Sequence, residues 1–98
     1  TPAPVLVTVF DSSLWLVSNA LATELRRAGL NVMVYPEPAK LPKQFKYADK
    51  MKMKVAVTIG PDEAAKGQVA VKNLGSGEQV IVTREAAAEK IRELLKNA

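Results

Sequence analysis

Cysteine and histidine are both missing from the 98 residues. Without cysteine there is no disulfide and no thiolate metal site, a composition that fits a cytoplasmic protein. Without histidine, the commonest general base and the commonest neutral metal ligand are gone. No apolar run approaches the roughly 20 residues that cross a bilayer, so no membrane association is expected. A secretory signal, with its charged start, apolar stretch and small-residue cleavage site, is also lacking. What remains is 48% hydrophobic, enough to pack a core. One domain over residues 1–98 is expected. Strand-like sequence starts at Val5, soon after Thr1, so the chain is expected to be a piece of a longer protein.

The formal net charge is +4, and it is unevenly spread. Lys40, Lys43, Lys46, Lys50, Lys52 and Lys54 lie close together with Asp49 as the one acid among them. That segment holds +5, which leaves −1 for the rest of the chain. A basic segment on a near-neutral body points to a polyanionic partner on one face. The alternative is a solvated lysine face that keeps the domain soluble.

Hydrophobic patterning gives the element order. Val5 to Phe10 is an apolar, β-branched run and reads as a buried strand. Asp11, Ser12 and Ser13 can cap a helix whose apolar face is Leu14, Val17, Leu21, Leu25 and Ala28, closed by Gly29. Residues 31–35 form a second strand, and Pro36-Glu37-Pro38 a loop. Pro42 opens a second helix with Leu41, Phe45 and Ala48 inward. Residues 55–59 form a third strand, and Asp62–Lys66 one helical turn or a tight loop. Gly75-Ser76-Gly77 joins strands near 68–73 and 79–82. Thr83 caps a last helix near 84–96. The predicted core is Leu6, Val9, Val17, Leu21, Leu25, Val32, Phe45, Val57, Val71, Ile91 and Leu94, with Trp15 partly exposed.

This pattern predicts a three-layer α/β/α domain with a five-stranded mixed sheet and three helices. Strands one to three are parallel, in spatial order 2-1-3-4-5. The link Asp62–Lys66 is too short for a parallel crossover, so strand four runs antiparallel to strands three and five. Ligands in open α/β sheets bind outside the carboxyl ends of strands, where the order switches. That crevice lies between strands one and three, beside Phe10, Asp11, Ser12, Ser13, Gly60, Pro61, Asp62 and Glu63. The Pro36–Lys40 loop opens on the same rim.

Enzyme chemistry finds little there. Asp11-Ser12-Ser13 has no glycine to cradle phosphate. Asp11 stands alone where a phosphorylation site would need several acids, and no serine has a histidine base. Asp62 and Glu63 suit a cap or turn better than a metal site. Hence no catalytic residue and no metal ligand is assigned. The second helix offers more. At about 100° per residue, Lys43, Lys46, Lys50 and Lys54 share one side, with Tyr47 among them. Tyr47 could stack on an unpaired base, or pack on Met51 one turn on.

The segment Lys43-Gln44-Phe45-Lys46-Tyr47-Ala48-Asp49-Lys50 resembles the signature helix of the histidyl-tRNA synthetase C-terminal domain. Val55–Glu63 is similar to that family's third strand and its Gly-x-Asp/Glu-Glu turn. Gly67–Leu74 and Gly77-Glu78-Gln79 resemble its next strand and hairpin return, and the likeness runs from Val5 to Leu95. Glycyl-, prolyl- and threonyl-tRNA synthetases share this class IIa anticodon-binding fold. The resemblance implies a domain that grips the anticodon loop of histidine tRNA and catalyses nothing itself. A separate catalytic domain, not contained in these residues, would use ATP and Mg, and the parent would be a homodimer. The same fold could instead serve as a regulatory or protein-interaction module of a synthetase-like or kinase-linked protein.

On this basis the RNA-binding candidates are Asp11, Ser12, Ser13, Lys40, Lys43, Lys46, Tyr47, Lys50, Asp62, Glu63, Lys72 and Asn73. The lysines would hold phosphates. Asp62 and Glu63 would accept from guanine in a GUG anticodon, while Asn73, Ser12 and Ser13 can donate or accept. Glu63 leads these, with capping of its own turn as the alternative. One departure from the family pattern is Lys52-Met53-Lys54, which replaces a glycine-containing turn and predicts a less sharply capped helix end.

Overall fold

The structure, a computed structural model, describes residues 3–97. Five strands form one sheet: β1 (Val5–Val7), β2 (Val32–Val34), β3 (Val55–Thr58), β4 (Gln68–Asn73) and β5 (Gln79–Thr83). Four helices accompany them: α1 (Trp15–Arg27), α2 (Leu41–Lys50), α3 (Pro61–Lys66) and α4 (Ala87–Lys96). Single 3-10 turns at Ser12–Leu14 and Arg84–Ala86 lead into α1 and α4. The sheet order is β2-β1-β3-β4-β5. β1 is parallel to both neighbours, with Val5 opposite Val32 and Val55. β4 is antiparallel to β3 and β5. The expected topology is therefore present. The segment read as a turn or tight loop adds a six-residue helix, α3, to the three helices expected.

Two layers of side chains flank the sheet. On one face, Val5, Val7, Val55, Val57, Val69 and Val71 meet Leu21, Ala22 and Leu25 of α1 and Ala87 and Ile91 of α4. On the other, Leu6 packs with Ala48 of α2, Tyr35 and Met53. Three expected core residues, Val17, Phe45 and Leu94, are only partly buried. Gln44 takes the inward position on α2 and is fully buried.

Helices α1 and α2 end in the same hydrogen-bonded device. At α1, Leu30 N–H donates to Leu25 O and Gly29 N–H to Arg26 O, with Gly29 at φ 92. At α2, Met53 N–H donates to Ala48 O and Lys52 N–H to Asp49 O. This pair of bonds is a Schellman cap. The end of α2 is thus sharply capped, against the expectation drawn from the missing glycine. Lys52 achieves it by adopting φ 57, the left-handed region that costs a side-chain-bearing residue energy. Arg84 ties the approach to α4 onto α1 through two bonds to Glu24, at 2.9 and 2.6 Å. The Glu24 carboxylate holds the Arg84 pKa above its ordinary value.

Candidate nucleic-acid interface

β1 begins as an ordinary ladder strand and ends in an unusual way. Tyr35 N–H donates to Val7 O at 3.0 Å and Thr8 N–H to Val57 O at 2.9 Å. At Val9 no strand follows on either side, and the Gln44 side chain serves instead. Val9 N–H donates to Gln44 Oε1 at 2.8 Å, and Gln44 Nε2 donates to Val9 O at 2.7 Å. The second Nε2 hydrogen goes to Ala39 O at 2.9 Å. The expected strand 5–10 is therefore shorter in its ladder, because a side-chain amide replaces the last rung.

Beyond this point the chain segments leaving β1 and β2 diverge and leave a groove of about 630 Å³. One wall is Val9 to Ser12 with Trp15, and the other is Pro36 to Lys40. Phe10 and Trp15 are 41% and 42% exposed, large aromatic surfaces left without full cover. Asp11, Ser12, Glu37 and Lys40 supply polar groups. The groove therefore lies between the exits of β1 and β2, not at the β1–β3 crevice that topology favoured. At that crevice, Glu63 and Phe10 lie close over Gly60. Gly60 N–H donates to Glu63 Oε1 at 2.9 Å. A side chain at Gly60 would meet this oxygen at 2.7 Å and the Phe10 ring at 3.5 Å.

The expected residues fall into three groups. Asp11, Ser12 and Lys40 line the groove. Asp11 also accepts from Ser13 N–H at 2.9 Å, capping the turn into α1. Ser13, Asp62 and Glu63 stand on the same rim outside the groove lining, and Glu63 caps α3. Lys43, Lys46 and Lys50 are exposed along the outer face of α2, whereas Lys54 does not share that face because the helix ends at Lys50. Because α2 returns from the end of β2 to the start of β3, this face begins at the groove and runs to the opposite rim. Lys43 Nζ is 3.9 Å from Glu37 Oε1, both well exposed, so the pair holds neither strongly. Tyr47 packs edge-to-face on Tyr35, with ring centres 5.4 Å apart. Its hydroxyl donates to Met33 Sδ at 3.5 Å.

Lys72 and Asn73 form the third group, at the far end of the sheet. Asn73 pairs opposite Val55, the first residue of β3. Its Oδ1 accepts from Gly75 N–H at 2.9 Å and Ser76 N–H at 3.3 Å, which shapes the hairpin turn. Lys72 Nζ lies 4.6 Å above the Phe45 ring, a cation–π contact. The structure does not bring this pair to the groove. The groove residues that were not among the binding candidates are Val9, Phe10, Trp15, Pro36, Glu37, Pro38 and Ala39. Trp15 carried one signal, an aromatic side chain just off the apolar stripe of α1.

Sheet order, capped helices and groove together define the class. Residues 5–94 match the family described as "Anticodon binding domain", and the chain belongs to that family. Within it, the chain is similar to the corresponding part of histidyl-tRNA synthetases. The histidine–tRNA ligase of Cytophaga hutchinsonii is 40% identical over 88% of the chain and 19% of its own length. The crystal structure of histidyl-tRNA synthetase from Nostoc sp. PCC 7120 has a TM-score of 0.93 at 42% identity. That match covers 97% of this chain and 23% of that one. The RNA binding domain of threonyl-tRNA synthetase from Cryptosporidium parvum Iowa II shares the fold, with TM-score 0.86 at 18% identity. It is matched over 96% of this chain and 24% of that one. The chain thus spans about a fifth of the length of the curated relatives it matches. Among the described residues, no helix is long and apolar enough to cross a membrane.

Proposed function

We propose that this domain binds the anticodon stem-loop of histidine tRNA, taking unpaired bases into the groove and phosphates along α2. The observation that carries this reading is the junction of two surfaces. The lysine face of α2 starts where the aromatic groove opens, with Lys40 in the groove lining. Single-stranded RNA asks for that combination, because splayed bases stack on aromatic rings while cations track the backbone. The parent, on this reading, is a cytoplasmic histidine–tRNA ligase acting as a homodimer. Its catalytic domain, elsewhere in the protein, uses ATP and Mg. The names of the relatives and the extent of the match support that assignment.

The test is binding of a labelled anticodon stem-loop to the chain at two salt concentrations, with a changed anticodon as competitor. Tighter binding to the GUG loop and weakening with salt are expected. Equal binding to both loops, or none, overturns the proposal and leaves the fold as a protein-interaction module. Glu63→Gln keeps an acceptor for Gly60 N–H, so the domain stays folded. If the preference for GUG survives that change, base reading belongs to the groove residues and Glu63 is a cap.

A further inference from the structure

Among the described residues, one polar side chain hydrogen-bonds to both walls of the groove, and it is not itself in the lining. Gln44 is 0% exposed and lies beneath the groove floor. Its amide uses both donors and one acceptor position: Val9 N–H and O on one wall, Ala39 O on the other. Among the described residues, no other hydrogen bond links the segment 9–15 to the segment 36–40. The orientation of the amide is set by its partners. Rotating it by half a turn would place its NH₂ against Val9 N–H and its oxygen against two carbonyls.

We infer that Gln44 is a positioning residue that fixes the spacing of the two groove walls, and thereby which unpaired bases the groove admits. This rests on the groove being the site of base binding. The lysine face supplies affinity without choice, because phosphates are common to every sequence. Choice requires walls held at a fixed separation, and here that separation depends on one amide. Gln44 touches no ligand in this scheme; it acts through Val9 and Ala39.

Two variants test it. Gln44→Met fills the same space and removes all three bonds. Gln44→Glu keeps an acceptor for Val9 N–H and removes both donors. Circular dichroism checks that each folds, and if Gln44→Met does not, Gln44→Glu carries the measurement. Amide exchange followed by NMR reads the clamp without RNA. Val9 N–H should exchange about tenfold faster in Gln44→Met, with Gln44→Glu between that variant and the parent chain. Leu6 and Val7 should be unchanged. In competition assays, Gln44→Met should lose about tenfold of its preference for the GUG loop, while the salt dependence keeps its slope. A generally weakened fold would lower binding to both loops alike. Unchanged Val9 exchange overturns the clamp. Faster exchange with full preference for GUG overturns its role in base choice. If the unaltered chain binds no stem-loop, the functional reading fails, and Val9 exchange still decides whether the clamp exists.

Discussion

On one side of the sheet, six valines of β1, β3 and β4 close against Leu21, Leu25 and Ile91. On the other side, α2 rests through Ala48 on Leu6, Tyr35 and Met53, and carries a buried glutamine, Gln44. The first side is held by burial, which scales with area and is indifferent to direction. The second is thinner and relies on groups with fixed geometry: a three-bonded amide and a pair of tyrosines at right angles. The lysine face belongs to the second side, and the groove lies at its rim, with Trp15 of α1 reaching into one wall. On the proposed function, most of the stability and most of the binding therefore fall to different faces of one sheet, and each can be perturbed with limited effect on the other.

The largest expected effect tests the burial side. Leu21→Ala should lower stability by about 2–5 kcal/mol, read from a denaturation midpoint. A change near zero would mean that the valine face does not dominate the fold. On the opposite side, Lys43→Ala, Lys46→Ala and Lys50→Ala should each shift stability by no more than about 0.5 kcal/mol. Each should make the salt dependence of stem-loop binding shallower by a slope of about 0.7, equally for matched and changed anticodons. Loss confined to one sequence would turn these lysines into base readers and dissolve the division.

Two smaller effects sharpen the comparison at the edges. Lys52→Gly should raise the melting temperature, gaining about 0.5–1 kcal/mol as the strained φ is relieved, offset in part by a freer unfolded chain. A loss would show that the lysine stem packs usefully at the end of α2. Arg84→Gln should cost about 0.2–1 kcal/mol, because the pair with Glu24 is partly solvated. The folded-state pKa of Arg84 lies above the unfolded value. The Arg84 contribution is therefore present at any pH below the unfolded value and fades only as pH rises through the folded one. Arg84→Gln should lower the midpoint equally at neutral and mildly alkaline pH, as paired melts would show.

The burial side was the more legible half of the sequence. β-branched runs at Val5, Val55 and Val69 and the three-to-four spacing of Leu14, Val17, Leu21 and Leu25 report apolar faces directly. On α2 the same rule misplaced a residue. It turned Phe45 inward and left Gln44 out, since periodicity counts an amide as surface. Val9, lacking a strand beyond β1, needed a peptide-like partner, and Gln44 met that need. Phe45 ended half-exposed under Lys72. The lysine face was legible because it lies on one helix and follows from angular arithmetic. The two groove walls were legible as segments on one rim, but the cavity between them was not, because their approach depends on a buried side chain. Asn73 could have been placed from the sequence alone. An antiparallel fourth strand carries its last residue to the end opposite the carboxyl rim.

The Gln44 amide has a mechanical consequence as well. A peptide-like group carried on α2 completes a rung of β1, so helix and strand cannot slide or roll past each other without breaking two bonds at Val9. Lys43 and Lys46 stand on the same helix, one residue before and two after that anchor. The lysine rail and the groove floor therefore move as one rigid jig, with the distance from rail to pocket set before any ligand arrives. An RNA loop bound here would spend little of its binding energy on ordering the protein.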